Sequence, residues 1–74
     1  MVKQLDVRPI LQAGGEPFGE IMAFVQALEP GQAFELLATF RPDPLFKVME
    51  GKGYANRSEE LADGSWSVLF TPVD

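Results

Sequence analysis

The sequence predicts an α/β (α+β) two-layer sandwich in which both helices cover one face of a β-sheet. The apolar pattern follows the order β-α-β-α-β-β, and each predicted helix has a single apolar stripe. The last two predicted strands each have a polar face. Two strand–helix–strand units imply right-handed crossovers onto one sheet, and a final hairpin adds antiparallel strands. Because the 74-residue chain contains no repeat or linker, we expect one domain over residues 1–74.

The first predicted strand spans residues 3–7, where Leu5 and Val7 share one face at the strand period of two. The segment from Arg8 to Gly15 contains proline and adjacent glycines. These residues disfavour regular structure, so we expect an irregular connection there.

The first predicted helix begins at Pro17, because the N–H that proline lacks would have no partner in the first turn. Pro30-Gly31 ends it, and Phe24 lies at the edge of its apolar stripe. The stripe consists of Phe18, Ile21, Met22, Val25 and Leu28. The spacing of three and four residues is typical of an amphipathic helix.

The second strand is predicted at residues 33–40 and the second helix from Asp43-Pro44, where the aspartate would cap the helix. This helix ends at Gly51 or Gly53. One face of the strand would consist of Phe34, Leu36, Ala38 and Phe40, and the helix stripe of Leu45, Val48 and Met49, with Phe46 beside it.

The C-terminal part predicts a hairpin. Residues 54–61 form a polar strand, Asp63-Gly64 is a strong turn signal, and residues 65–71 alternate between apolar and polar side chains. Trp66 is expected to be a core anchor on the same face as Val68 and Phe70.

The composition excludes several classes of function. With a net charge of -5, the chain lacks the basic surface that drives nucleic-acid binding, so we expect no nucleic-acid partner. No segment approaches the roughly 20 apolar residues that span a bilayer, so no membrane association is expected. The N-terminus has no signal-peptide pattern, and we expect a cytoplasmic protein.

The chain contains no Cys and no His. It therefore has no thiolate nucleophile, no Ser–His–acid triad and no thiolate or imidazole metal ligand. Glu16 and Glu20 could act as paired carboxylates, but the helix dipole favours acidic residues in a first turn, and this explanation suffices. We expect no enzyme activity, no cofactor and no metal site.

A candidate binding edge lies where the first two strands end. If these strands are parallel, the connections after them meet at one sheet edge and lead into helix N-termini, which favour anions. The candidate residues for an anion or an acidic partner segment are Arg8, Gly14, Gly15, Glu16, Arg41 and Asp43. The alternative is structural: Arg8 pairs with Asp6 and Arg41 with Asp43 as exposed ion pairs, and the glycines serve the loop conformation.

The uncovered face of the sheet is a second candidate. Leu37 and Leu69 are expected to point there on neighbouring strands and could form an interface for a dimer or a partner protein. Isolated outward leucines are also common on monomers. The oligomeric state thus stays open between a monomer and a weak dimer.

The order of these motifs resembles the TusA-like (SirA-like) sulfur carriers, in which a strand ending in Leu-Asp precedes Cys-Pro-x-Pro and an amphipathic helix. Here the matching positions are Leu5-Asp6, Glu16-Pro17 and the turn Pro30-Gly31. The resemblance implies a mixed four-stranded sheet in the order 1-2-4-3. It would align the reactive cysteine with Gly14 and the next proline with Gly15, so persulfide chemistry is rejected for this chain.

A branch of the same fold without the cysteine, a domain of unknown function, is still more similar. Its motifs match Leu5-Asp6-Val7-Arg8, Glu16-Pro17-Phe18 and Pro44-Leu45-Phe46. The resemblance implies that the chain works together with redox, hemerythrin-like or sulfur-transfer proteins. We therefore expect a small non-catalytic accessory domain that docks a partner protein or an anionic ligand. The alternative is a component of a sulfur-transfer or redox enzyme complex whose partner supplies the reactive group.

Overall fold

In the computed structural model, which describes residues 2–73, the elements follow the order β-α-α-β-α-β-β. The elements within that range are β1 (Lys3–Asp6), α1 (Arg8–Gln12), α2 (Phe18–Gln26), β2 (Phe34–Ala38), α3 (Asp43–Gly51), β3 (Tyr54–Glu60) and β4 (Trp66–Pro72). The predicted order β-α-β-α-β-β is confirmed, with one helix added near the N-terminus.

The four strands form one mixed sheet in the order β1-β2-β4-β3, which confirms the predicted order. β1 pairs with β2 in parallel, with Leu5 opposite Leu36. β4 lies antiparallel to both of its neighbours, and Val68 is opposite Leu36 on one side and Ser58 on the other. The carboxyl ends of β1 and β2 therefore lie at the same end of the sheet.

The core lies between one face of this sheet and the helices. Its buried cluster joins alternate residues of β2 and β4 to residues of α2 and α3, so both helices cover the same face, as predicted. Phe34 stacks on Phe70 with ring centroids 5.1 Å apart. Phe24 and Phe46 meet these two rings edge-on, at 5.5 and 6.1 Å. Phe24 packs against the core from its edge, as predicted, whereas Phe46 is part of the buried cluster.

The connection between β1 and α2 differs from the prediction. Instead of being irregular, it contains α1, whose first turn includes Pro9, where proline is tolerated. Ile10 and Leu11 pack against the core cluster, which gives this short helix an apolar side. A five-residue helix is too short for apolar periodicity to be visible in the sequence.

The start of α3 and the end of α2 also differ from the prediction. Asp43 does not cap α3; it is the first helical residue, and Pro42 occupies the cap position without a side-chain hydrogen bond. α2 ends at Gln26, before the Pro30-Gly31 turn. Beyond it the N–H of Leu28 bonds to the carbonyl of Val25, only three residues back, as in the tightened last turn of a helix. Leu28 nevertheless packs against the core from beyond the helix end.

Two predictions about burial are wrong. Trp66 is only half-buried and lies outside the core cluster, because it is the first residue of β4 and faces the last residues of β2 and β3. Leu37 lies on the sheet face away from the helices, as its alternation predicts, but it is 8% exposed rather than open to solvent.

Candidate functional site

The connections that follow β1 and β2 meet at one end of the sheet and enclose a groove of about 590 Å³. One wall comes from the loop before α2 and its first turns, and the other from the loop before α3 and its start. The lining residues are Leu11, Gly15, Glu16, Pro17, Phe18, Ile21, Phe40, Pro42, Pro44 and Leu45. We call this feature the loop groove.

The loop groove is apolar. Ile21 and Leu45 are buried in its inner part, whereas Phe18 is 46% exposed and Phe40 is 51% exposed at its surface. Three prolines in the lining restrict the backbone on both walls. Two large rings that stay half-exposed beside a preformed concavity indicate a surface that can bury an apolar group.

The Gly14-Gly15 pair shapes the wall before α2. Gly14 has a φ of +80°, which favours glycine, and Gly15 donates its N–H to the carbonyl of Ile10 at 2.8 Å. A Cβ on Gly15 would lie 3.0 Å from Cγ2 of Ile10 and 3.2 Å from its carbonyl oxygen. The close approach of the loop to α1 therefore explains Gly15 without any ligand.

Glu16 lies two residues before the first residue of α2. Its Oε1 accepts a hydrogen bond from the N–H of Phe18 at 2.9 Å, so a carboxylate already satisfies one of the free N–H groups there. Glu20 adds a second acidic side chain in the first turn. Both carboxylates stabilise the positive end of the helix dipole, and both would repel a bound anion.

Arg8 does not line the loop groove. Its Nε and Nη2 donate to the two carboxylate oxygens of Asp6 at 2.9 and 2.8 Å. These hydrogen bonds lower the pKa of the Asp6 carboxyl and raise that of the guanidinium. Arg8 instead borders a separate polar cleft of about 240 Å³, together with Asp63 and Ser65 of the β3–β4 loop.

Arg41 lies at the other wall and is also paired. Its Nε donates to Oδ1 of Asp43 at 2.8 Å, and its guanidinium carbon lies 5.7 Å from the centre of the Phe46 ring. The structure thus brings Gly15 and Glu16 of the predicted edge into the loop groove, near Arg41 and Asp43. Both arginines form the ion pairs that were the structural alternative.

The sheet face away from the helices carries Leu37 and Leu69, the other predicted surface. Leu69 is half-buried, and polar side chains surround the two leucines. Glu35 connects three strands there: its Oε1 accepts a hydrogen bond from Nε2 of Gln4 at 2.8 Å, and its Oε2 accepts one from Oγ of Ser67. This face is a polar network with small apolar areas rather than an apolar patch.

Sequence reasoning did not place Phe18 and Phe40 at the loop groove; it assigned them to a helix stripe and to a strand face. Phe18 follows Pro17 in the first turn of α2, and Phe40 lies two residues past the end of β2. Each ring is the outermost member of its apolar pattern, and that terminal position was the available signal.

Among residues 2–73, no three acidic side chains lie close enough together to hold a metal ion. None of the helices in that range is long and apolar enough to cross a membrane.

Comparison with curated proteins and with solved structures finds no significant match. The model of one family, described as uncharacterized conserved protein (DUF2249), matches residues 4–72. This confirms the predicted likeness to a domain of unknown function, whereas the likeness to TusA-like sulfur carriers stays a prediction. Because the match spans nearly the whole chain, the protein belongs to the DUF2249 family of uncharacterized conserved proteins.

Proposed function

We propose that this protein is a small non-catalytic binding domain that docks a partner protein by taking up an apolar side-chain segment in the loop groove. One observation carries the proposal: Phe18 and Phe40 stay about half-exposed on opposite walls of a concave apolar surface. Burying such rings against a partner removes apolar surface from water, and this removal is the main driving force of association.

The size of the loop groove favours side chains over an entire helix. Its volume of about 590 Å³ lies within the range of sites that bind drug-sized molecules. A few aliphatic or aromatic side chains of a short segment fit such a space. The prolines of both walls keep the surface preformed, which lowers the entropic cost of binding.

The charges near the loop groove favour this occupant over an anion. Both arginines of the edge are held by their own aspartates, and the carboxylate of Glu16 bonds to the start of α2. An anion would have to compete with these carboxylates for the guanidinium and N–H groups. An apolar segment of a partner requires no such exchange.

The lining also supports binding rather than chemistry. Glu16 is its one ionisable side chain, and the chain contains no Cys or His to act as a nucleophile or a base near neutral pH. A docking role uses the features that are present: apolar area, concavity and a rigid backbone.

The test is an amide-resolved NMR titration of the full chain with the capped dipeptide acetyl-Leu-Phe amide. We expect chemical-shift changes at residues 15–21 and 40–45. Phe40→Ala and Phe18→Ala should each weaken binding about fivefold or more, the factor that about 1 kcal/mol produces. Val73→Ala is the control, because Val73 is 62% exposed and does not line the loop groove.

A native partner should depend on the same residues. In the native host, the partner protein should cross-link to the wild type and to Val73→Ala. It should not cross-link to Phe40→Ala. Shifts that map to the Leu37–Leu69 face, or a Phe40→Ala variant that binds as well as the control, would overturn the proposal.

A further inference from the structure

β3 is an edge strand whose outer side has no partner among residues 2–73. It is hydrogen-bonded to β4 on its inner side and runs for seven residues, Tyr54–Glu60. An exposed edge of this length presents a row of N–H and C=O groups that can pair with another strand. Proteins usually block such edges, so the side chains of β3 decide whether pairing is possible.

The register with β4 defines the two faces of β3. Arg57 is opposite Leu69 and Glu59 is opposite Ser67, which places both on the face away from the helices, together with Ala55. All three side chains are exposed. Within the described residues, neither Arg57 nor Glu59 forms an ion pair or a side-chain hydrogen bond.

The order of these residues makes the strand complementary to itself. When two copies of β3 run antiparallel about a two-fold axis at Ser58, Arg57 of each copy lies directly opposite Glu59 of the other. Opposite charges at such cross-strand positions are stabilising. Toward the ends of the strand, Ala55 of one copy lies opposite Leu61 of the other, which pairs two apolar side chains. On the helix side, Asn56 lies opposite Glu60, which pairs an amide with a carboxylate.

Neighbouring registers lack this complementarity. An axis at Arg57 places two guanidinium groups opposite each other, and an axis at Glu59 places two carboxylates opposite each other. If the axis instead lies between two residues, each residue is opposite one from the other face of β3. The two sheets would then join with their helices on opposite sides. The register at Ser58 is therefore selected.

We infer that β3 is the contact between two copies of this chain, paired antiparallel about Ser58 into a continuous eight-stranded sheet. The interface is polar and narrow, so the dimer is weak and sensitive to salt. The dimer does not use the loop groove, so this inference does not depend on the proposed docking function.

The test is sedimentation equilibrium of the full chain over a wide range of concentrations, first at low salt. The wild type should dimerise. Arg57→Glu and Glu59→Arg should each raise the dissociation constant about tenfold or more, since each replaces two attractions with two repulsions. Lys47→Glu and Glu50→Arg, at exposed positions of α3, are the controls with the same charge changes.

Two further arms separate this contact from a general charge effect. The double variant Arg57→Glu/Glu59→Arg restores both attractions and should dimerise like the wild type. An equimolar mixture of the two single variants should form a heterodimer, because one strand then offers two carboxylates to two guanidinium groups. A wild type that stays monomeric up to roughly 1 mM, or single variants that behave like their α3 controls, would overturn the inference.

Discussion

Glu35 is the residue that joins three strands of the sheet outside the core. Its two carboxylate oxygens accept hydrogen bonds from Gln4 on β1 and Ser67 on β4. The bond from Ser67, followed by that from Gln4, lowers the pKa of the Glu35 carboxyl below its ordinary value of 4.5. The charged carboxylate is therefore the form that the folded state favours.

The pH dependence of stability follows from that direction. A carboxyl with a lowered pKa contributes stability that is fully present above its unfolded pKa, near 4.5, and is lost as the pH falls through the lower folded pKa. We expect Glu35→Gln to lower the free energy of unfolding by about 1 kcal/mol at pH 7, and by less as the pH falls below about 4. Urea unfolding at a series of pH values measures both effects.

The control for this prediction is Glu29→Gln, since Glu29 is exposed beyond the end of α2. Both variants remove one negative charge from an acidic chain, so general charge repulsion changes equally. If the two variants show the same stability at pH 7, the hydrogen bonds of Glu35 contribute nothing.

Local charge pairs could be predicted from the sequence, and exposed aromatic rings could not. Asp6 and Arg8, like Arg41 and Asp43, are two residues apart, so their pairing depends on a short stretch of backbone. The exposure of Phe18 and Phe40 depends instead on the separation of two loops that are distant in sequence. No local pattern encodes that separation.

α2 has fewer buried residues than α3, the other nine-residue helix. Of its nine residues only Ile21 is fully buried, while several others are partly buried against the core. Its second residue is Gly19, where an added Cβ would have no atom within 4 Å apart from its chain neighbours and the backbone of its own helix. Glycine weakens a helix because it loses more backbone entropy on folding than alanine does.

Gly19→Ala should raise the free energy of unfolding by about 0.5 to 1 kcal/mol. Gly15→Ala is the matched change four residues earlier and should lower it by about 1 kcal/mol or more, because its Cβ would press on Ile10. Thermal or urea unfolding of both variants gives the comparison. Equal effects would mean that the space around each glycine does not decide the result.

Long elements could be predicted better than short ones. The stripe of α2 and the alternation of β4 each repeat over several residues, and both elements are present. α1 escaped prediction because its five residues show no period, and its stability depends on Ile10 and Leu11 meeting a core built by distant residues. Tertiary packing, rather than intrinsic propensity, accounts for this helix.

At the scale of the whole molecule, the two inferred contacts lie on different parts of the fold. The loop groove is at the carboxyl ends of β1 and β2, whereas β3 is the edge strand at the other side of the sheet. The side-chain sets share no residue, so a dimer through β3 can present two grooves. The predicted sheet order implied this separation, but the apolar character of the groove required the structure.

The order of the sheet also gives its strands unequal resistance to local opening. β1 is four residues long, is mostly exposed and is bound only to β2, while β2 and β4 each have a neighbour on both sides. Residues 7–33 must close a long loop before β1 can pair in parallel with β2, which makes this contact slow to form.

Deuterium uptake should therefore reveal β1 as the first strand to detach. The amide of Val7, which donates to the carbonyl of Leu37 at 2.9 Å, should exchange through a subglobal fluctuation, whereas amides shared by β2 and β4 should exchange only on global unfolding. Identical exchange free energies for the two groups would contradict this. Once β1 detaches, the backbone N–H and C=O groups along one edge of the apolar strand Phe34–Ala38 have no partner. Such an edge can pair with the same strand of another molecule, so we expect β1 to protect the protein from aggregation.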